Sequence, residues 1–129
     1  MQKRSPRKAK ALLWALGVLA VLAVAAGLLA RHGRIRITVE NDLPESVRVV
    51  SVQRQTVGKE VTGHGTGRFT YRIAPGDATV SLRLQVGDET VDREIVDYVD
   101  RAYYGRVTVK VSRDEAGEPR IEADANVGL

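Results

Sequence analysis

The chain has 129 residues, no cysteine and a formal net charge of +4. That length allows one folded domain, and the missing thiols exclude disulfides, thiolate metal sites, cysteine nucleophiles and a lipidated-cysteine anchor. The positive charge is unevenly spread. Lys3, Arg4, Arg7, Lys8 and Lys10 fill the first ten positions with no acid before Glu40, whereas from Arg31 onward fifteen cations meet sixteen anions, a sum of −1. Nucleic-acid recognition needs its basic surface on the folded module, so no nucleic-acid partner is expected, and the basic tail 1–10 reads as a signal of membrane orientation.

Residues 11–30 read ALLWALGVLAVLAVAAGLLA, twenty residues without a charge. At 1.5 Å per residue a helix of this length spans about 30 Å, the thickness of a hydrocarbon core. The run lacks the polar stripe of a soluble amphipathic helix. Trp14 sits one turn inside the basic end, where an interfacial aromatic belongs, and Arg31 and Arg34 flank the other end. The expected topology is a cytoplasmic N-terminus, a transmembrane helix, a juxtamembrane linker at 31–33 and a domain outside the cytoplasm. Ala23-Val24-Ala25 also fits a small-x-small cleavage site. Permanent anchor and cleaved signal peptide therefore stand as alternatives, the unbroken apolar run past Ala25 favouring the anchor. Ala20, Ala23, Gly27 and Ala30 share one helix face, where small residues let a second helix approach, so a homodimer through this helix is a further expectation.

From Arg34 the pattern changes to period two. Ile35, Ile37 and Val39 alternate with polar residues, and Asn41 to Glu45 forms a turn cluster. Val47 to Val52 reads as a second strand whose alternation slips at Val49-Val50, marking a bulge or two buried faces. Residues 55–68 carry Gly58, Gly63, Gly65 and Gly67 and read as a mobile loop, or a hairpin near Gly58-Lys59. Phe69, Tyr71 and Ile73 define a third strand, and Ala74-Pro75-Gly76-Asp77 has the residues of a type II turn. Val80 to Val86 is the longest core stripe, Gly87-Asp88 suits a two-residue hairpin loop, and Val91 to Val96 follows. Val107, Val109 and Val111 mark another strand. A turn at 114–117 leads to a weak last strand near 120–124, with 125–129 as a flexible tail.

About seven short strands, regular turn signals and no helical pattern predict an all-β antiparallel β-sandwich over 34–124, immunoglobulin-like or transthyretin-like, with a partly open barrel as the alternative. This stretch resembles anchored bacterial β-sandwich domains in general, without a diagnostic motif. The Cys…Trp…Cys arrangement of true immunoglobulin domains is absent.

No chemical constellation emerges. The glycine-rich stretch precedes a strand, whereas a phosphate cradle needs a helix N-terminus behind it. His32 and His64 lack metal-ligand spacing, and no serine sits in a Gly-x-Ser-x-Gly elbow. The acidic run Asp88, Glu89, Asp92, Glu94, Asp97 and Asp100 matches no EF-hand loop, so it reads as a solvated strand face, with calcium binding the alternative. Tyr98, Tyr103 and Tyr104 hold three of the five aromatics beyond Trp14 and, with His64 in its glycine-rich loop, are the candidate interaction residues. The expected function is therefore non-enzymatic and without cofactor: a single-pass bacterial envelope protein, anchored through 11–30, that presents its sandwich to a protein partner as an accessory or scaffold component. The alternative is a cleaved, soluble periplasmic module that binds a ligand or metal. The bacterial assignment rests on 15 arginines against 5 lysines, as a GC-rich genome would encode.

Overall fold

A computed structural model describes residues 6–129; the side chains at 6, 30 and 31 are outside the description. Lys3 and Arg4 of the basic tail and the Ala30 side chain of the small-residue face therefore lie outside the described residues.

The first unit is one helix, α1, Pro6–Arg31, of 26 residues. It starts upstream of the apolar run because proline is at ease in a first helical turn, where its missing N–H costs nothing. The Arg7–Leu29 portion, 23 residues with mean hydropathy 2.6, is long and apolar enough to cross a membrane. One N-terminal helix of this kind serves either as a membrane anchor or as a signal sequence, and it is compatible with an envelope protein. The helix stops where the chain meets Gly33, whose φ of +75° is the left-handed conformation that ends helices.

The second unit, Gly33–Leu129, is a β-sandwich of two four-stranded sheets. Its strands are β1 Arg34–Asn41, β2 Val47–Val52, β3 Gln55–Val61, β4 Thr66–Arg72, β5 Val80–Val86, β6 Glu89–Val96, β7 Tyr104–Arg113 and β8 Pro119–Gly128. One sheet has the order β4-β1-β7-β8 and the other β3-β2-β5-β6. Three tight hairpins dictate much of this order by keeping β2–β3, β5–β6 and β7–β8 each within one sheet. The inward half of each alternation forms one core. Ile35, Ile37 and Val39 meet Val107, Val109 and Val111 in the first sheet, and Val47, Val49, Leu82 and Leu84 line the second. Each fully buried valine or leucine contributes about 1.5–3 kcal/mol relative to exposure.

The sandwich and its preceding helix agree with the expected fold, and several details differ. Strands number eight. The extra one, β3, lies in the stretch read as a mobile glycine-rich loop or a hairpin near Gly58-Lys59, and it runs straight through that position. It is an edge strand, exposed over most of its length, so it shows no alternation to betray it. Its pairing with β2 shifts register between Val49 and Ser51, the bulge indicated by the slip at Val49-Val50. The tail 125–128 is not frayed: β8 pairs with β7 from Arg113↔Pro119 to Tyr104↔Gly128, and the ladder's backbone bonds hold a segment that has little apolar pattern of its own. The sheets are antiparallel except at β1–β7, which pair in parallel. Strands so far apart in sequence have no tight turn to impose an antiparallel sense. The two-by-four order also corrects the immunoglobulin-like expectation. An immunoglobulin sandwich joins its first two strands in one sheet of ABED order, whereas here β1 and β2 lie in different sheets.

Candidate interaction site

Two groups of loops close the sandwich, one at each end. Asn41, the last residue of β1 and the sole buried polar residue among those described, organises the first. Its Nδ2 donates to the carbonyls of Glu45 (2.8 Å), Val61 (3.2 Å) and Thr62 (3.1 Å), and its Oδ1 accepts from the Leu43 N–H at 3.0 Å. The amide thus stitches the β1–β2 turn to the β3–β4 turn. Backbone bonds from His64 N–H to Leu43 O and from Asn41 N–H to Gly65 O, each 2.9 Å, complete the seam. Gly63 is required there because a Cβ would overlap the Pro44 carbonyl. Outside the seam Arg113 pairs with Glu45, and this guanidinium holds the Glu45 carboxyl below its usual pKa. The Gly-His-Gly segment is therefore a fixed turn. His64 is exposed with φ of +55°, and it stands at the opposite end from the tyrosines.

At the other end Gly33 enters the sandwich, donating to Tyr103 O (2.8 Å) and accepting from Ile73 N–H (2.7 Å). The Ala74–Asp77 turn closes with a bond from Asp77 N–H to Ala74 O at 3.1 Å, and Gly76 has φ of +89°, as a type II turn requires. The Asp77 carboxylate accepts from the Tyr71 hydroxyl and from Ala74 N–H (2.8 Å). Burial, and then the hydrogen bond to Asp77, hold the Tyr71 hydroxyl well above its ordinary pKa.

This turn, the Gln53-Arg54 hairpin loop and the outward side of β5 border an open cleft of about 860 Å³. Gln53, at φ of +52°, builds its wall: its side chain donates to Thr79 O at 2.7 Å and accepts from Ser81 N–H at 2.9 Å, extending the strand pairing past the end of the ladder. On the same wall Arg83 makes a two-point pair with Asp92, at 2.7 and 3.1 Å, which keeps the Asp92 carboxyl below its usual pKa. Val99 N–H bonds Ala78 O at 2.8 Å, so the β6–β7 connection is tied directly to this rim.

That connection carries the predicted aromatics. Tyr98 and Tyr103 meet edge to face, centroids 5.7 Å apart at 71°. Tyr103 packs on the core margin, whereas Tyr98 is 60% exposed. Tyr104, also exposed, opens β7 beside them. The fold thus brings Tyr98 and Tyr103 together at this end of the sandwich, sends Tyr104 to the outward face of its sheet on the side of Arg106, and leaves His64 apart.

The cleft itself was not foreseen, since Gln53, Tyr71, Asp77 and Arg83 lie on four different elements; only the type II turn motif was a local signal. The acidic run is strung along β6 and the loop after it. Asp92 is engaged by Arg83, Asp100 accepts from Ala102 N–H at 3.1 Å, and among the described residues no three histidines or acids gather as metal ligands. On α1 the small-residue face at Ala20, Ala23 and Gly27 is uncovered in the single chain.

These features define a class, an apolar N-terminal helix followed by an eight-stranded β-sandwich. No protein-family model matches the chain, and no curated protein matches it either. Among solved structures it is similar to the N-terminal domain of AlgF from P. aeruginosa, at 17% identity and a TM-score of 0.45, over 72% of this chain and 95% of that one. Likeness of that degree says nothing about activity.

Proposed function

We propose that this chain is a non-enzymatic, single-pass bacterial envelope protein that displays its sandwich, outside the cytoplasm, to a protein partner. The observation that carries the reading is the exposed Tyr98 ring braced edge to face by Tyr103. A large ring held in place by a neighbour offers contact area at little further entropic cost, the usual make-up of an interface anchor. The ionisable groups around the cleft favour a non-catalytic role. Asp77 is held by Tyr71 and Ala74, Asp92 by Arg83, and none stands as a base beside a nucleophile. The basic N-terminal tail favours a cytoplasmic N-terminus and a periplasmic or extracellular sandwich.

Copurification of the tagged chain from detergent-solubilised membranes tests this. A stoichiometric partner that is lost with Tyr98→Ala, while the sandwich keeps its thermal stability, is the expected result. Recovery of the same partner by both chains would remove the tyrosine surface from consideration. The cleft also gives substance to the second reading, a soluble ligand-binding module released after Ala25. That reading requires a processed N-terminus, which the mass of the mature protein reports.

A further inference from the structure

The outward face of the sheet β4-β1-β7-β8 is charged in a way that the total of −1 from Arg31 onward conceals. Ile35, Ile37, Tyr71, Val107 and Val109 point into the core, so the pleat sends Arg34, Arg36, Arg68, Arg72, Arg106 and Lys110 to the other side. Register places them together: Arg34 lies opposite Arg72, Arg36 opposite Arg106, and Arg68 opposite Thr38. With strands ~4.8 Å apart and ~3.3 Å per residue, the six cations occupy a flat patch about 10 Å by 20 Å. Glu40 is the one acid on these three strands and lies opposite Lys110. To the same face β8 adds Glu122 opposite Lys110, Asp124 opposite Thr108 and Arg120 opposite Ser112, so the unbalanced positive charge lies with the arginines of β4, β1 and β7. Among the described residues none of the six cations has an ion-pair partner.

Like charges directly across a ladder destabilise it. The other sheet's outward face avoids this, setting Arg48 opposite Glu60 and pairing Arg83 with Asp92. The cationic grid is therefore a cost to the isolated domain that an anionic partner would relieve.

We propose that this face docks on an anionic lipid surface, namely the headgroups of the membrane that holds α1; the proposal rests on α1 being a membrane anchor. Only His32 and Gly33 separate the helix from β1, so the chain tether supplies headgroups to this face at high local concentration. Guanidinium forks match phosphate oxygens, and the threonines between them (Thr38, Thr66, Thr70 and Thr108) add hydroxyl donors. The strands of the patch place no aliphatic side chain outward, and Tyr104 at the start of β7 is the single aromatic among their outward residues, so cations and hydroxyls dominate the face. Each arginine near an anionic bilayer favours the bound state about fivefold.

The full chain, reconstituted in lipid nanodiscs, tests the proposal. It has no cysteine, so Thr70→Cys on the face, Gln85→Cys on the opposite sheet and Leu19→Cys in the helix each carry a single fluorescent label. The expected result is that a headgroup-level quencher reaches the Thr70 label in phosphatidylcholine discs containing phosphatidylglycerol, and much less in phosphatidylcholine alone. The Gln85 label responds to neither disc, and high salt reverses the effect as the Debye length contracts to ~3 Å at 1 M. Arg36→Gln lowers the docked-to-free ratio about fivefold; it relieves a like-charge pair, so the fold tolerates it. Equal quenching at Thr70 in both discs, with the Leu19 label buried in acyl chains, overturns the proposal and leaves the anchor reading intact. A Leu19 label that stays in water overturns both. A Thr70 label that responds to a soluble acidic polymer and not to phosphatidylglycerol gives the face to that polymer and overturns the lipid assignment.

Discussion

The two ends of the sandwich solve the problem of loop closure in opposite ways. At the Asn41 end, one buried amide answers four backbone groups, and a glycine is fixed by the carbonyl it would otherwise strike. His64 stays exposed there, on a turn fixed by that seam. At the Tyr71 end, closure is delegated to a solvent-facing turn, a glutamine standing in for backbone and a tyrosine–aspartate contact, so side chains and a cleft stay accessible. The first end is built for rigidity, and the second keeps its polar and aromatic groups available to a partner. A glycine-rich loop, the feature that most suggested mobility, lies at the rigid end.

Five substitutions put that contrast at risk. Asn41→Ala has the largest expected effect, a loss of about 3 kcal/mol, because three carbonyls and an N–H lose their partner in a buried setting. Thermal or urea unfolding of the full chain in detergent measures it; a loss comparable to an ordinary surface change would mean the seam does not hold the end together. Gly63→Ala follows at about 2 kcal/mol, since the seam must open to admit a methyl group. The corresponding Gly76→Ala at the open end has space for its Cβ but a φ of +89°, so its smaller cost comes from the backbone alone.

Tyr71→Phe should cost about 1 kcal/mol at neutral pH, with a signature in pH. The folded-state pKa of the hydroxyl is raised, so its contribution is full below the ordinary value of 10.0 and fades as pH rises above it. Parent and variant should therefore converge in stability at alkaline pH, and a constant gap would refute the assignment. Tyr98→Ala is expected to move stability by less than ~0.5 kcal/mol, as suits a ring that is largely exposed. Its effect belongs in binding, which is where the two ends should differ most.

Much of the architecture could be read from the chain because alternation reports which side of a strand is buried. Val80 to Val86 and Val107 to Val111 needed no further information, and Pro75-Gly76 and Gly87-Asp88 specified their turns locally. Two edge strands were the least legible, β3, read as a loop or a hairpin, and β8, read only over 120–124. In both, the two faces meet solvent over much of their length, so membership is decided by hydrogen bonds to a neighbour, for which residue type carries little signal. Tyr98, Tyr103 and Tyr104 were found as a composition cluster, and their proximity follows from closeness in sequence. The cleft and the Asn41 seam join residues twenty or more positions apart, and no local pattern announces such contacts.

By itself the sequence determined a helix long enough for a bilayer, a β-sandwich after Arg34 and the absence of thiol chemistry, since each depends on hydrophobic spacing or on composition. Tertiary structure decided how charge is arranged. A total of −1 from Arg31 onward argued against a basic surface, and yet pairing in register brings Arg34, Arg36, Arg72 and Arg106 side by side. Net charge is a sum that ignores position, whereas a surface field depends on which strands become neighbours, and strand order is settled only when the sheets close over their shared core.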